Sequence, residues 1–482
     1  MDQMTELDEN GNPKKPVKVN WDKLNPAIEF NGRAITLPAL PQKMDLDAAI
    51  KALNRLKADE EQTYDLHEMF DAYPTDAAVA LVKAMKELYG WASPVPTPGF
   101  FGPKPPQMLS VKTGWRDEDV IQVPLGSFRL PGVDAPISTA IVNNTFIVYG
   151  EIKKKHRHLI LELATLARKI LKEESIYRGK PIRLLVDDNG DLLTKMPPEF
   201  LNVEDISEAD LIFDDQVRSQ IETHLLTPIK ETENCRRHKI PLKRGVLLEG
   251  KFGTGKSLTS RLTARVCELN GWTYVYLDRV KGLRNALEFA KKYAPAVVFA
   301  EDIDTIMGER DEEANDLINV IDGVVTKGQE VMTVLTTNDV NKIHPVILRP
   351  GRLDAVISLK PPGAAACERL IRHYAGKLLK ADASLVEASK SVVGMIPASI
   401  RECVERAKLG MIARRDNKLD SSDIVVAAES MKNHMALLEP KAPEPTSAQQ
   451  LAEGLKGVLI NGSHDKITQI HEKVVEIHGN VV

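Results

Sequence analysis

Residues 250–257 read Gly250-Lys251-Phe252-Gly253-Thr254-Gly255-Lys256-Ser257, and no other stretch limits the possible folds as tightly. The spacing G-x-x-x-x-G-K-S is that of a phosphate-binding loop. An apolar run, Gly245-Val246-Leu247-Leu248-Glu249, leads directly into it and reads as a buried strand. After it, Leu258, Leu262, Val266 and Leu269 recur at helical spacing, and Gly271 supplies a stop. Strand, glycine loop and helix together are the context that the motif requires; a chance glycine-rich loop would lack both flanks. Glycines let the backbone curl so that its N–H groups converge on phosphate oxygens. The helix N-terminus adds a favourable dipole. Lys256 brings a positive charge to the β- and γ-phosphates of ATP, and the Ser257 hydroxyl suits Mg²⁺.

From about residue 211 to 359, short apolar runs alternate with helical patterns, the signature of a parallel α/β sheet. Residues 364–434 read as purely helical. The chain therefore has a P-loop α/β core, expected over 206–360, and a helical lid over 361–435. In front lie an arm expected to be disordered (1–44), a helical segment with a proline-rich linker around Phe100 and Phe101 (45–107), and a small α+β domain (108–205). Within the last, Asp187-Asp188-Asn189-Gly190 is a hairpin signal. After the lid come a proline-rich hinge and a short helix with Ile467, Ile470, Val474 and Ile477 on one stripe (436–482). That stripe fits packing onto its own chain, or else a partner helix.

A length of 482 residues bounds the chain to two to four domains. A net charge of −4 gives no global drive toward nucleic acid or acidic membrane. Four cysteines, none in a C-x-x-C pair, imply neither a disulfide framework nor a zinc knuckle. With no apolar run long enough to span a bilayer, a cytoplasmic location is expected.

Two further segments carry chemistry. Pro295-Ala296-Val297-Val298-Phe299-Ala300 is a buried strand that ends in Glu301-Asp302-Ile303-Asp304. Adjacent carboxylates at a strand's C-terminal end can support Mg²⁺ and orient an attacking water. A third strand over 331–335 ends in Thr336-Thr337-Asn338, where Asn338 is placed to hold a water or a γ-phosphate. Downstream, Arg349-Pro350-Gly351-Arg352 sets two arginines on a turn. Arginine stabilises charge that develops on a transferring phosphoryl group, although alone such a pair fits surface ion pairs equally well.

Together these segments, about 212–434, resemble the AAA family of AAA+ P-loop ATPases. The resemblance implies a five-stranded parallel sheet, a helical lid, ATP and Mg²⁺ as ligands, and a homo-oligomeric ring, commonly a hexamer. Gly250 to Ser257 is similar to Walker A, with Leu258 after it. By position, Glu301 would support Mg²⁺ with Ser257, and Asp302 would polarise water. Asn338 falls at sensor 1, Arg349 and Arg352 on the arginines that reach a neighbour's nucleotide, and Gly394 and Ala398 on the lid's sensor 2. Leu317-Ile318-Asn319-Val320-Ile321-Asp322-Gly323 resembles the helix before the sensor-1 strand.

The sequence departs from the family in three places. The Glu301-Asp302 order reverses the usual Asp-Glu, and resembles the mitochondrial AAA chaperones that translocate a folded iron–sulfur protein. Asp278-Arg279-Val280-Lys281-Gly282 is shorter than the family's pore-loop region and lacks its aromatic–aliphatic–glycine signature; Lys281 or Tyr276 would have to substitute. Asp214-Asp215 stands near the place of the adenine-contacting Asp-x-Gly-Gly without its glycines. The membrane-anchored AAA proteases have similar cores, but His471-Glu472 is followed by His478, which is not their H-E-x-x-H zinc spacing. Three functions stay open: an ATPase that remodels, disassembles or translocates a protein partner; a nucleic-acid motor or loader using the basic run Lys153-Lys154-Lys155-His156-Arg157-His158; and a nucleotide-gated scaffold with slow turnover.

Overall fold

The computed structural model describes residues 27–30, 33–36, 46–90, 93–96, 102–105, 107–187, 189–193, 196–305, 330–349 and 352–438. The segment around Phe100 and Phe101, the expected helix at 317–323, the proline-rich hinge and the C-terminal stripe lie outside them. The chain divides into two compact units, residues 1–111 with 122–173, and residues 112–121 with 174–482.

In the first unit, strands β1 (Ala27–Phe30) and β2 (Arg33–Thr36) form an antiparallel hairpin inside the span expected to be an arm. Helix α1 (Leu46–Glu60) leads to β3 (Thr63–Phe70) and α2 (Pro74–Tyr89). Pro74 starts α2 because its ring presets a helical φ and the first turn needs no N–H from it. Strands β4 (Ser93–Val95), β5 (Gln107–Lys112), β6 (Val120–Leu125), β7 (Ser127–Arg129), β8 (Ile137–Val142) and β9 (Thr145–Lys153) precede helix α3 (Arg157–Glu173). A sheet of order β3-β9-β8-β7-β4 alternates in burial, with Leu66, Phe70, Phe146, Val148 and Ile152 inward. Helix α3 buries Ile160, Leu163, Ala164, Ala167 and Ile170 at helical spacing and packs on α2. Each Leu or Ile so placed contributes roughly 1.5–3 kcal/mol.

The basic run at the start of α3 is locally neutralised. Lys154 Nζ lies 2.5 Å from Asp59, and Lys155 Nζ 2.5 Å from Glu61. Lys153 Nζ reaches Glu61 at 2.7 Å and Asp134 at 3.2 Å. His156 Nε2 is 3.3 Å from the same Asp134 carboxylate, within ion-pair range although the angle makes no good hydrogen bond.

The second unit is built on a seven-stranded sheet of order β11-β10-β13-β14-β15-β12-β16. Its strands are β10 (Pro181–Leu184), β11 (Glu199–Phe200), β12 (Arg244–Glu249), β13 (Thr273–Leu277), β14 (Ala296–Ala300), β15 (Val331–Thr337) and β16 (Ala355–Ser358). Every pairing is parallel except β10 with β11. The five expected parallel strands are thus extended by two more. Residues 181–200, assigned from sequence to the α+β domain, pair instead into this sheet. Ile182 faces Val275 along β13, and β10 covers an edge whose N–H and C=O groups would otherwise stand open. The hairpin expected at 187–190 is present as a short antiparallel bridge, Val186 to Leu192.

Short helices α4 (Asp215–Ile221), α5 (Thr227–Lys230) and α6 (Thr232–Arg237) precede β12. Helix α7 (Lys256–Leu269) follows β12, and α8 (Leu283–Lys292) follows β13. The lid is α9 (Ala364–Ala375), α10 (Val386–Val392), α11 (Pro397–Ala413) and α12 (Ser421–Leu438). It has a core of its own around Leu370, Ile371, Ile400, Val404 and Ile424.

Candidate active site

Strands β12, β14 and β15 are adjacent and parallel, so their C-terminal ends meet at one edge of the sheet. Their sequences place the loop at 250–255, the acids at 301–304 and Asn338 at that edge. The loop continues β12, with Gly250 N donating to Thr337 O at 3.1 Å. It enters α7 through Gly255, whose φ of +110° is open to glycine alone at low cost. A Cβ on Gly255 would also stand 3.0 Å from the Phe213 ring. Thr254 ties the loop to itself through Oγ1 and the Lys251 carbonyl, 2.8 Å apart.

Lys256, in the first turn of α7, is buried. Its ammonium donates to Gly250 O at 2.5 Å, Lys251 O at 3.3 Å and Asn338 Oδ1 at 2.8 Å. Desolvation pushes its pKa below the ordinary 10.5, and the charges of Asp302 and Glu301 oppose that shift. The exposed Phe252 ring lies over it, with Nζ 5.5 Å from the centroid. Ser257 Oγ donates to Glu301 Oε1 at 3.1 Å, which pairs the two residues expected to hold Mg²⁺. A hydroxyl beside a carboxylate is an all-oxygen donor set that fits this hard cation. Leu258 is half-buried and packs against the core of the sheet.

Asp302 adopts φ +52°, a left-handed conformation that short polar side chains tolerate best. Its carboxylate accepts from Asn338 Nδ2 at 2.9 Å. The Asn338 amide therefore spans the site, joining Lys256 on one side to Asp302 on the other. Three residues that carry no motif of their own hold this arrangement. Thr336 Oγ1 accepts from Asp302 N at 3.0 Å, while Asp304 Oδ1 accepts from Thr337 Oγ1 at 3.0 Å and Asn338 N at 3.2 Å. Tyr276 belongs to β13 and stacks on Phe299, so it is no substitute gripping residue. Burial, then the Glu301 charge, raises its phenol pKa well above the ordinary value.

Ala398 meets the loop directly: its N–H donates to Gly253 O at 3.2 Å, and a Cβ built on Gly253 would stand 2.8 Å from its methyl. Gly394 lies in the lid turn before α11 at φ +87°. The Asp214 carboxylate accepts from Gly363 N at 3.1 Å, and Arg369 Nη2 donates to Phe213 O at 2.6 Å, so the 213–215 segment is fastened to the start of the lid.

Arg349 and Arg352 are not brought to this edge. The Arg352 carbonyl abuts Gly245 so closely that a Cβ there would stand 2.2 Å from it, and Asp354 N donates to Gly245 O at 2.7 Å. Gly245 is the second residue of β12, five residues before the loop, or about 16 Å along the strand. Arg352 Nη1 donates to Val346 O at 2.9 Å, and the Arg349 side chain is exposed. Among the described residues no group of three or more His, Cys, Asp or Glu could hold a metal ion. No described helix is long and apolar enough to cross a membrane.

Residues 246–361 match the family described as "ATPase family associated with various cellular activities (AAA)". Curated relatives include the ATP-dependent zinc metalloprotease FtsH of Lactiplantibacillus plantarum, 28% identical over 45% of this chain and 32% of its own length. The cell division cycle protein 48 homolog of Archaeoglobus fulgidus is 27% identical over 45% of this chain and 31% of its own. The 26S proteasome subunit RPT4 of Saccharomyces cerevisiae is 27% identical over 48% of this chain and 59% of its own. The matched region thus spans about a third to somewhat over half of these relatives.

Proposed function

We propose, from the match of residues 246–361 to the AAA family, that the chain is a P-loop ATPase of that family, which hydrolyses Mg·ATP in a homo-oligomeric ring and uses the cycle to remodel a protein partner. The observation that carries the ATPase reading is Asn338, whose amide joins Lys256 at 2.8 Å to Asp302 at 2.9 Å. A phosphate-binding cation and a water-polarising acid thereby share one orienting residue. The backbone of residues 250–255 and Lys256 bind the phosphates. Ser257 and Glu301 hold Mg²⁺, which neutralises charge on the phosphate oxygens. Asp302 accepts the proton of the attacking water, and Asn338 keeps that water in line. Gly394 and Ala398 bring the lid onto the nucleotide.

The ring is supported by the arginines. They sit about a strand's length from their own loop, beyond the reach of one side chain, so their chemistry is directed at a neighbouring subunit. A protein as substrate is supported by relatives named as a proteasome subunit and as ATP-dependent proteases. The metalloprotease activity itself is not carried over: H-E-x-x-H does not occur in the 482 residues. The nucleic-acid reading loses its main support, because Asp59, Glu61 and Asp134 neutralise the lysine run. The slow-turnover scaffold loses ground as well, since the left-handed turn at Asp302 brings its short carboxylate to Asn338. Four buried thiols suit a reducing, cytoplasmic setting.

The test is ATP turnover per subunit against protein concentration, with Arg352→Ala protein mixed into wild type. Turnover that rises with concentration and falls on mixing supports the ring ATPase. Turnover equal to that of Lys256→Ala at every concentration refutes it.

A further inference from the structure

The last register pair between β14 and β15 joins Ala300 to Leu335. Beyond it four hydrogen bonds, each with at least one side-chain partner, join the ends of the two strands. Two bonds reach Asp302, one from Asn338 Nδ2 and one through Thr336 Oγ1. The other two converge on a single oxygen, Asp304 Oδ1, which accepts from the buried Thr337 hydroxyl at 3.0 Å and from the Asn338 backbone N–H at 3.2 Å. Asp304 itself is half-buried, and it bonds the Asn338 main chain rather than the amide that faces Lys256 and Asp302. Asn338 is the first residue past β15, where no ladder bond holds it. Its amide must nonetheless meet Lys256 and Asp302 at once.

We propose that Asp304 is a positioning residue for hydrolysis: its carboxylate fixes the main chain at 337–338 and so aims the Asn338 side chain at Asp302 and the attacking water. This rests on the ATPase reading above. Positioning of this kind acts on the chemical step rather than on nucleotide affinity, because a shift of about 1 Å in an orienting group can cost on the order of 100-fold in rate. The phosphate-binding loop draws its own geometry from β12 and α7, and Asp304 reaches Lys256 only through its charge, after those of Asp302 and Glu301, so ATP binding depends little on it.

The experiment is a double-mutant cycle in full-length protein between Asp304→Ala and Asn338→Ala, read as kcat, KM and nucleotide Kd, with Asp304→Asn as the conservative variant. Asp304→Ala is expected to lower kcat on the order of 10-fold or more and leave Kd within about twofold. Asp304→Asn retains an oxygen acceptor and recovers most of the rate. In the Asn338→Ala background, Asp304→Ala costs little more, since the residue it aims is gone. A loss of equal size in both backgrounds, or a loss confined to KM and Kd, would overturn the proposal. So would an Asp304→Asn protein that folds like wild type and is as slow as Asp304→Ala. Wild-type turnover no higher than that of Lys256→Ala would instead remove the ATPase reading, and this role with it.

Discussion

Asp302→Asn is the substitution whose effect the geometry determines most narrowly. Two bonds hold Asp302 against β15: its N–H donates to Thr336 Oγ1 at 3.0 Å, and its Oδ1 accepts from Asn338 Nδ2 at 2.9 Å. Asparagine keeps both, because its amide oxygen accepts as the carboxylate does. It also tolerates φ +52° as well as aspartate. What is lost is a negative charge and a proton acceptor. Positioned general bases contribute about 10²–10⁴-fold, equivalent to about 3–5 kcal/mol of barrier. Asp302→Asn should therefore bind ATP like wild type, unfold at the same temperature, and lose at least about 100-fold in single-turnover hydrolysis. Asp302→Ala should add a folding penalty of about 1 kcal/mol for a left-handed alanine. Asp302→Glu keeps the charge but carries the carboxylate past Asn338, and should fall between. The readouts are single-turnover hydrolysis of labelled ATP and equilibrium binding of a fluorescent nucleotide. An Asp302→Asn enzyme within about tenfold of wild type would refute the assignment and leave Glu301 as the acid that activates water.

Other substitutions separate the two ends of β12. Gly245→Ala forces a methyl against the Arg352 carbonyl and should cost about 1–3 kcal/mol; ATP binding by dilute protein should persist while turnover falls, and lost binding would refute this. Gly255→Ala strains a φ of +110° beside Phe213 and should abolish ATP binding, measured as loss of nucleotide-induced thermal stabilisation. The depressed pKa of Lys256 sets a sign with pH: its charge is lost as pH rises through a value below 10.5, so ATP affinity should weaken there, and affinity flat to pH 10.5 would count against it. In the first unit, the His156 imidazole and the Lys153 ammonium hold Asp134 at about 2 instead of 3.8; that stability is present above pH 3.8 and lost as pH falls toward 2, so urea midpoints should drop over this range less in Asp134→Asn.

The part of the site readable in the sequence is the part encoded locally. Glycine spacing with an apolar run before it gives the loop, and a valine-rich run before two acids gives Glu301 and Asp302, because backbone needs and burial act over a few residues. Asn338 follows from the same logic at the end of β15. Partner choice is not local. Ile182 pairs with Val275, far along the chain, and only that pairing moves β10 out of the N-terminal domain where its turn signal placed it. Asp304 was invisible for a related reason: a carboxylate in an acidic loop looks solvated until Thr337 and Asn338 are brought across from another strand. The left-handed backbone at Asp302, which lets a short acid reach Asn338, has no side-chain signature at all.

The position of the arginines turns that same sheet into a statement about assembly. Arg352 follows Asn338 by fourteen residues, and β16 runs parallel to β12, so the chain must return to the opposite edge before entering it. On the proposed reading, a subunit built this way holds its phosphate-binding groups at one end of β12 and its arginines at the other. Mixing then distinguishes two cases quantitatively. Where each site needs only one neighbour's arginine and the sites fire independently, a fraction f of Arg352→Ala subunits leaves turnover proportional to 1 − f. Where all n sites of a ring must fire in concert, turnover falls as (1 − f) to the power n, and a small dose of mutant silences most rings. Turnover in mixtures that equals the weighted mean of the two proteins assayed apart, at every dilution, is expected of the independent case as well, so the deciding partner is Lys256→Ala. That protein has no active site of its own but an intact arginine turn, and adding it to Arg352→Ala should restore turnover that neither possesses alone. Failure of that complementation in assembled mixtures would show that the arginines do not act across subunits.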